Sequence, residues 1–266
     1  MSQEECYVCA TCGLNHPTSQ HEEIMKNKGG LFLTSFPKCG TNIIGQMWTI
    51  GEDGPHWIPH GDNYLYPRTK YTRRERYVRR PKIEEAIRTF SRVAYSHLAF
   101  RPWIWREFEA RDAAVYVLIR EPRDVAVSQM YHIQKWPEAG LNFQFPDGSF
   151  LRERKDPLMD IIKTLPLRWD QFIPWVEHPE VMTVRFEDLI ENRWETVARM
   201  FIHGGWRVEP AGLGTIKDWI DRIDPDKSMT YRRGEVGTWR EYFQDRHKKK
   251  FNKIMAERME ALGYPM

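Results

Sequence analysis

The chain has 266 residues, 41% of them hydrophobic, which suits one enzyme-sized domain with a sizeable core. Its 40 basic and 37 acidic residues leave a net charge of +3, too small for a dedicated nucleic-acid binder. No stretch approaches the roughly 20 apolar residues that a membrane-crossing helix needs, and the polar start Met-Ser-Gln-Glu-Glu lacks a secretory pattern, so the expectation is a cytoplasmic protein without a membrane partner.

Residues 1–30 read as an appendage to the main domain, or as a cover over its site. Cys6, Cys9 and Cys12 form a Cys-x-x-Cys-x-x-Cys run with Gly13, His16 and His21 nearby. The spacing makes half of a zinc site, but no second Cys-x-x-Cys follows to complete it. Free thiols and bound zinc both fit these residues, and the expectation is no metal.

From Leu31 the chain takes on structure. The apolar, β-prone run over about 31–36 stops at Pro37 and opens into Lys-Cys-Gly-Thr-Asn, with a helix following over roughly Asn42 to Thr49. A glycine that admits close approach, a Thr41 hydroxyl, a helix start and a lysine at the mouth together make a phosphate cradle. The loop lacks the Gly-x-x-x-x-Gly-Lys-Ser/Thr spacing, which disfavours a Mg-ATP enzyme of that type. Between 51 and 82 lie Trp57, Tyr64 and Tyr66, then a run from Arg68 to Lys82 with eight Lys/Arg and one acid. That run fits a solvated helical face or a charge that steers anions.

The next strand, about 92–96, ends in the polar tip Ser96-His97. A helix from Trp103 to Arg111 leads to the near-continuous apolar strand 113–119. Arg120 follows that strand, Pro122 starts a helix that runs on from Arg123 to Lys135, and Arg120 and Ser128 flank the turn where they can hold a doubly charged phosphate. Trp136, Phe143 and Phe145 lie in the segment 136–156. Helical patterns cover Pro157 to Glu177, Glu187 to His203 and Arg246 to Leu262, with a short strand at 181–185 before the second of them. The loop Tyr231-Arg-Arg-Gly-Glu-Val-Gly-Thr-Trp239 carries adjacent cations between glycines. Strands alternating with helices predict an α/β fold, a parallel sheet covered on both faces with its ligand at the carboxyl ends of the strands.

Three of these segments, in this order, resemble the sulfotransferases that use 3′-phosphoadenosine 5′-phosphosulfate, most closely the soluble cytosolic type. Phe36-Pro-Lys-Cys-Gly-Thr-Asn42 resembles that family's 5′-phosphosulfate loop. Arg120-Glu-Pro-Arg-Asp-Val-Ala-Val-Ser128 resembles its 3′-phosphate segment, and Arg232-Arg-Gly-Glu-Val-Gly-Thr-Trp239 its late glycine loop. The resemblance spans Leu31 to about Phe243. It implies a single α/β domain over 31–266, with a central parallel sheet flanked by helices and a P-loop-like phosphate loop of sulfotransferase type.

The resemblance also implies the site. Lys38, Cys39, Gly40, Thr41 and Asn42 would hold the phosphosulfate, Arg120, Ser128, Arg232, Arg233 and Gly234 the 3′-phosphate, and Phe186 the adenine. His97 matches the position of the catalytic base, and an imidazole suits proton removal near neutral pH. The expected reaction is in-line transfer of the sulfonate to a hydroxyl or amine of a small acceptor, with Lys38 answering the leaving-group charge and no metal. Cys39 stands where serine is usual, Asn42 for threonine, Ile43 for an adenine-stacking tryptophan, Tyr95 for a lysine and Phe186 for a tyrosine. The aromatic clusters fit a flat, apolar acceptor or plain core packing, Trp103 and Trp105 could contribute to that pocket, and His60, Asp62 and His132 could orient an acceptor. A Thr-Val pair usual in the family's dimerisation motif is absent after Trp239, which leaves the oligomeric state open. A non-catalytic sensor of adenosine 3′,5′-bisphosphate and a sulfotransferase for sugars or lipids are the alternatives.

Overall fold

The computed structural model describes residues 6–8, 15–17, 29–47, 56–58, 80–90, 93–135, 153–205, 217, 220–221, 223–224 and 234–266. Two short strands, β1 (Cys6–Val8) and β2 (Asn15–Pro17), pair antiparallel in a small sheet of their own within the expected appendage. Cys9 and Cys12 lie outside the described residues.

The main sheet is parallel throughout, in the spatial order β4 (His56–Trp57), β5 (Val93–Ser96), β3 (Leu31–Ser35), β6 (Ala114–Ile119) and β7 (Val181–Arg185). All residues of β3 and β6 are buried, as their unbroken apolar runs require of strands covered on both faces. The helices are α1 (Thr41–Met47), α2 (Arg80–Thr89), α3 (Pro102–Ala110), α4 (Pro122–Lys135), α5 (Pro157–Trp169), α6 (Ile173–Val176), α7 (Phe186–Glu191), α8 (Arg193–His203), α9 (Trp239–Tyr242) and α10 (Asp245–Ala261). Stacked rings fill the space between layers: Phe32 on Phe108 and Phe36 on Trp169, each with centroids 4.0 Å apart. Three polar side chains buried among the strands find backbone acceptors. Thr34 donates to the Leu98 carbonyl at 2.8 Å, Ser96 to that of Ile58 at 2.7 Å and Tyr116 to that of Met200 at 2.7 Å.

Two helices expected to be continuous are each divided. The run 157–177 forms α5 and α6 with a turn over Asp170–Phe172, because Pro174 has no N–H to bond the Asp170 carbonyl four residues back. The run 187–203 forms α7 and α8. Asn192 leaves helical geometry between them (φ −128°, ψ 44°), a departure that asparagine makes at low cost. The strand β4 was not foreseen in the sequence. Its two residues pair with Ala94 and Tyr95 through the backbone, too short a stretch to leave an alternating pattern.

The order places β3 in the middle, with the next long strand, β5, on one side and β6 on the other. Chain direction across the sheet therefore reverses at β3, and the crevice of such a fold opens at the carboxyl ends of the strands flanking the reversal. Lys38, His97 and Arg120 follow those three strands.

Arg111 closes the opposite end of the layer. It donates to the carbonyls of Gly29 (3.0 and 2.7 Å), Ile87 (3.0 Å), Arg88 (2.6 Å) and Phe90 (2.8 Å), and its guanidinium lies 4.1 Å over the Phe90 ring. One fork thus ties the entry to β3, the end of α2 and the start of β6. Arg111→Ala is expected to lower the unfolding free energy by about 2–4 kcal/mol in a denaturant titration, and Arg111→Lys to recover less than half, since an ammonium cannot span this set of carbonyls.

Candidate active site

Between β3 and α1 the chain turns tightly. Cys39 N–H donates to the Phe36 carbonyl at 3.2 Å and Ile43 N–H to that of Gly40 at 2.9 Å. Gly40 has φ +101°, and a Cβ there would lie 2.7 Å from Cδ2 of Phe186, so both backbone and space demand glycine. Lys38 also takes a left-handed conformation, φ +77°, which costs a residue with a Cβ roughly 1–2 kcal/mol. The first turn of α1 begins at once, and the amides of Gly40 and Thr41 precede its ladder, where an anion's oxygens are suitable partners. Asn42 is exposed on that turn.

The Cys39 side chain is not presented to this cradle. It is fully buried in the core cluster beneath, and burial pushes its thiol pKa well up. Replacing serine by cysteine suits that apolar position.

Arg120 joins the loop from β6. Its Nη1 reaches the Lys38 carbonyl at 3.5 Å, its Nη2 donates to the Glu235 carbonyl at 2.9 Å, and its guanidinium lies 4.1 Å over the Phe186 ring. Arg120 is only 7% exposed, and its buried Nε has no partner among the described residues. A buried, unmatched guanidinium donor is the atom an incoming phosphate oxygen would satisfy. Burial first, and the Arg120 charge second, pull the Lys38 pKa down from 10.5 to about 8. Phe186 forms the floor of this arrangement and is buried, between the Arg120 cation and the Gly40 turn.

His97 follows β5. Its Nδ1 lies 2.8 Å from the Ser35 carbonyl and 2.9 Å from the Ser35 hydroxyl, which in turn is 2.6 Å from the Thr41 hydroxyl. A carbonyl only accepts, so Nδ1 carries the hydrogen and the lone pair of the neutral ring belongs to Nε2. Ser35, a residue that sequence reasoning did not single out, therefore sets the tautomer of His97 and links it to the residue that starts α1.

Ser128 is half-buried on α4, and His132 lies one helical turn further on the same face. Burial and the Lys38 charge lower the His132 pKa to about 4, which leaves a neutral imidazole at physiological pH. Arg232 and Arg233 lie outside the described residues. Gly234, at φ +66°, is the first described residue of their loop. Trp103 and Trp105 pack beside the core, with Arg80 4.9 Å over the Trp103 ring and His178 3.8 Å from Trp105. His60, Asp62 and the remaining aromatics of the expected acceptor pocket lie outside the described side chains.

The late loop is fastened by a carboxylate that the sequence also hid. Asp124, in the first turn of α4 and 1% exposed, accepts from Gly237 N–H (2.6 Å), Thr238 Oγ1 (3.1 Å) and Trp239 N–H (2.8 Å). Its only sequence signal is an acid before the apolar Val125-Ala-Val127. Among the described residues no group of His, Cys, Asp and Glu could hold a metal ion, and no helix is long and apolar enough to cross a membrane.

A parallel α/β sheet whose central strand tips bring together a glycine turn, a strained lysine, a buried arginine and an oriented imidazole belongs to the anion-binding transferases of this fold class. The chain belongs to the sulfotransferase domain family, which matches it over residues 28–213. Among solved structures it is similar to mouse sulfotransferase SULT7A1 complexed with PAP, at 17% identity and a TM-score of 0.60, covering 96% of this chain and 93% of that one. It is also similar to retinol dehydratase in complex with androsterone and the inactive cofactor PAP, at 16% identity and a TM-score of 0.57, covering 94% and 88% of the two chains. At these identities the likeness is one of fold. No curated protein sequence matches the chain.

The Asp124 clasp is open to a direct test. Asp124→Ala leaves three donors without their acceptor, and about 2–4 kcal/mol of stability should be lost in thermal or chemical unfolding, with faster hydrogen exchange at the Gly237 and Trp239 amides. Asp124→Asn, which retains one oxygen, should fall between.

Proposed function

We propose that the protein transfers the sulfonate group of 3′-phosphoadenosine 5′-phosphosulfate to a hydroxyl or amine of a small acceptor. The observation that carries this reading is the meeting of Lys38, the unmatched Arg120 Nε and the Nδ1-protonated His97 at three adjacent strand ends. Family membership supports the reaction class, and the PAP held by both structural neighbours supports the donor.

In the proposed reaction, His97 Nε2 takes the proton of the acceptor as its oxygen or nitrogen forms a bond to sulfur. The bond from sulfur to the bridging oxygen breaks in line, and its electron pair passes to the 5′-phosphate of the departing adenosine 3′,5′-bisphosphate. Lys38 and the Gly40–Thr41 turn stabilise the charge that grows on that phosphate, which is larger in the transition state than in the bound donor. Arg120 grips the 3′-phosphate, with Ser128 and the Arg232-Arg-Gly234 stretch beside it. The Ser35 carbonyl holds the base in its working tautomer. No metal takes part in this scheme.

The acceptor is proposed as an apolar, flat molecule taken up from the cytoplasm, in keeping with the aromatic content of 51–82 and 136–156 and with the androsterone and retinol bound by neighbours of this fold. The catalytic unit is proposed to run from Leu31 to the last residue, with 1–30 as an appendage. Incubation with labelled phosphosulfate donor and a panel of phenols, alcohols, amines and sugars tests the reading. Transfer to phenols or apolar alcohols is expected; binding without transfer would mean a sensor, and transfer to sugars alone a different acceptor class. Lys38→Ala should cost roughly 10²–10³ in turnover and His97→Ala roughly 10²–10⁴, in proteins whose unfolding curves match the parent.

The Lys38 pKa gives a pH signature. In the free protein Lys38 loses its proton as pH rises through about 8, whereas a bound phosphate favours the charged form and raises that value. Binding adenosine 3′,5′-bisphosphate between pH 8 and 10.5 should therefore take up a proton, seen by calorimetry as an enthalpy that varies with buffer ionisation heat, and affinity should fall as pH rises through this window. The sign for stability is opposite. A depressed lysine pKa means the folded state binds fewer protons than the unfolded one across this window, so stability from this residue increases with pH there.

A further inference from the structure

The segment Leu262–Pro265 follows α10 and carries no motif, yet it is grasped by three side chains that flank the anion-binding turns. Tyr264 donates its hydroxyl to Glu187 Oε2 at 2.8 Å, and the other oxygen, Oε1, accepts from the Glu121 backbone N–H at 2.9 Å. Glu121 directly follows Arg120, and Glu187 directly follows Phe186, the ring on which Arg120 lies and against which Gly40 turns. A single carboxyl group thus bridges the ends of β6 and β7, and Tyr264 fixes its second oxygen. Arg185 donates to the Leu262 carbonyl at 2.9 Å and lies 4.4 Å over the Tyr264 ring. Gly263 makes room for it: at φ +68°, any Cβ there would lie 2.5 Å from an Arg185 nitrogen. Arg123 donates to the Pro265 carbonyl at 2.8 Å and lies 4.1 Å over Trp239, whose own amide is held by Asp124.

We propose that Tyr264 is a positioning residue of the donor site: acting through Glu187, it fixes the separation of the Arg120 and Phe186 turns and so sets the affinity for the bisphosphate nucleotide. Tyr264 touches neither donor nor acceptor. It is 8% exposed, and burial together with the Glu187 carboxyl raises its phenol pKa strongly, so its hydroxyl remains a donor at any working pH. The hydroxyl has one acceptor geometry to serve, and that acceptor has only one other ligand among the described residues, the amide beside Arg120. Loss of the phenol hydrogen would leave a half-buried carboxyl oxygen to seek another donor, and the amide on its other oxygen would move with it.

This inference rests on the donor reading given above, and the test separates the two. Adenosine 3′,5′-bisphosphate is titrated calorimetrically into the full-length wild type, Tyr264→Phe, Glu187→Gln, the double variant, and Arg258→Gln as a control. Arg258 makes a bidentate pair with Asp170 at 2.7 and 2.8 Å between α10 and the turn after α5, and reports general loosening of that helix. Tyr264→Phe should weaken nucleotide binding roughly five- to twentyfold, with the donor KM rising in step and kcat at saturating donor within twofold of wild type. The double variant should be no weaker than Glu187→Gln alone, and Arg258→Gln should bind like wild type even where its melting temperature falls. Tyr264→Phe binding within twofold of wild type, additive losses in the double variant, or an equal loss in Arg258→Gln would each overturn the proposal. Absence of binding by the wild type would instead overturn the donor reading itself, and with it this inference.

Discussion

Two cations meet at the central strand ends of this protein, and among the described residues neither forms an ion pair. Lys38 and Arg120 converge from neighbouring strand ends, with the Arg120 fork reaching the Lys38 carbonyl and the Lys38 pKa pulled down by burial and by the Arg120 charge. Water is partly excluded, so their repulsion is weakly screened and neither ion is fully hydrated. Such a pair persists only where the fold over-determines it, and the surrounding details do so. A strained φ at Lys38, a glycine pressed against Phe186, and an arginine laid on that ring each hold one side of the arrangement. The proposed phosphosulfate donor would relieve the repulsion, its 3′-phosphate satisfying the Arg120 Nε and its 5′-phosphate recharging Lys38, which makes its binding more favourable than that of an anion at a lone surface lysine.

Sheet topology explains why this pair has a base beside it. Because β3 lies between β5 and β6, the loop after β3 is adjacent to the residues that follow both neighbours. The Ser35 carbonyl, hydroxyl and the Thr41 hydroxyl form one short chain from the imidazole to the start of α1. Tautomer selection and anion capture therefore share a residue. A shift of α1 on anion binding would be felt at His97 through a hydrogen bond of 2.6 Å.

The main strands were legible because each is an apolar run ended by a residue of different character: Pro37, His97, Arg120. Lys38, Gly40, His97 and Arg120 were legible because loop chemistry follows directly from residue type and from the family's motifs. The residues that hold those turns together were not. Ser35, Asp124 and Glu187 act through partners 62, 113 and 66 positions away, and a separation of that kind leaves no local period or spacing to read. The two divided helices show the converse limit: apolar periodicity runs through Pro174 and Asn192, while the backbone ladder does not.

Carboxylates lie close behind the cationic site, and at first sight they oppose it. Asp124, Glu121 and Glu187 are all within one layer of Arg120 or Arg123. The oxygens of Asp124 and Glu187 are engaged by backbone N–H groups, a phenol and a hydroxyl, however, and only Glu121 pairs with a guanidinium, that of Arg123 rather than of Arg120. Coulomb interactions fall with distance, so a phosphate in direct contact with Lys38 or Arg120 feels that cation more strongly than carboxylates it does not touch. The carboxylates can then fix the geometry of three sequence-distant loops at small cost to the field at the cleft. Fastening by acids also limits the local excess of positive charge that Arg120, Arg123, Arg185 and Lys38 would otherwise create in one region of the fold. The arrangement separates two tasks by partner: Lys38 and the unmatched Arg120 Nε attract, and acids bonded to backbone amides hold the loops in register.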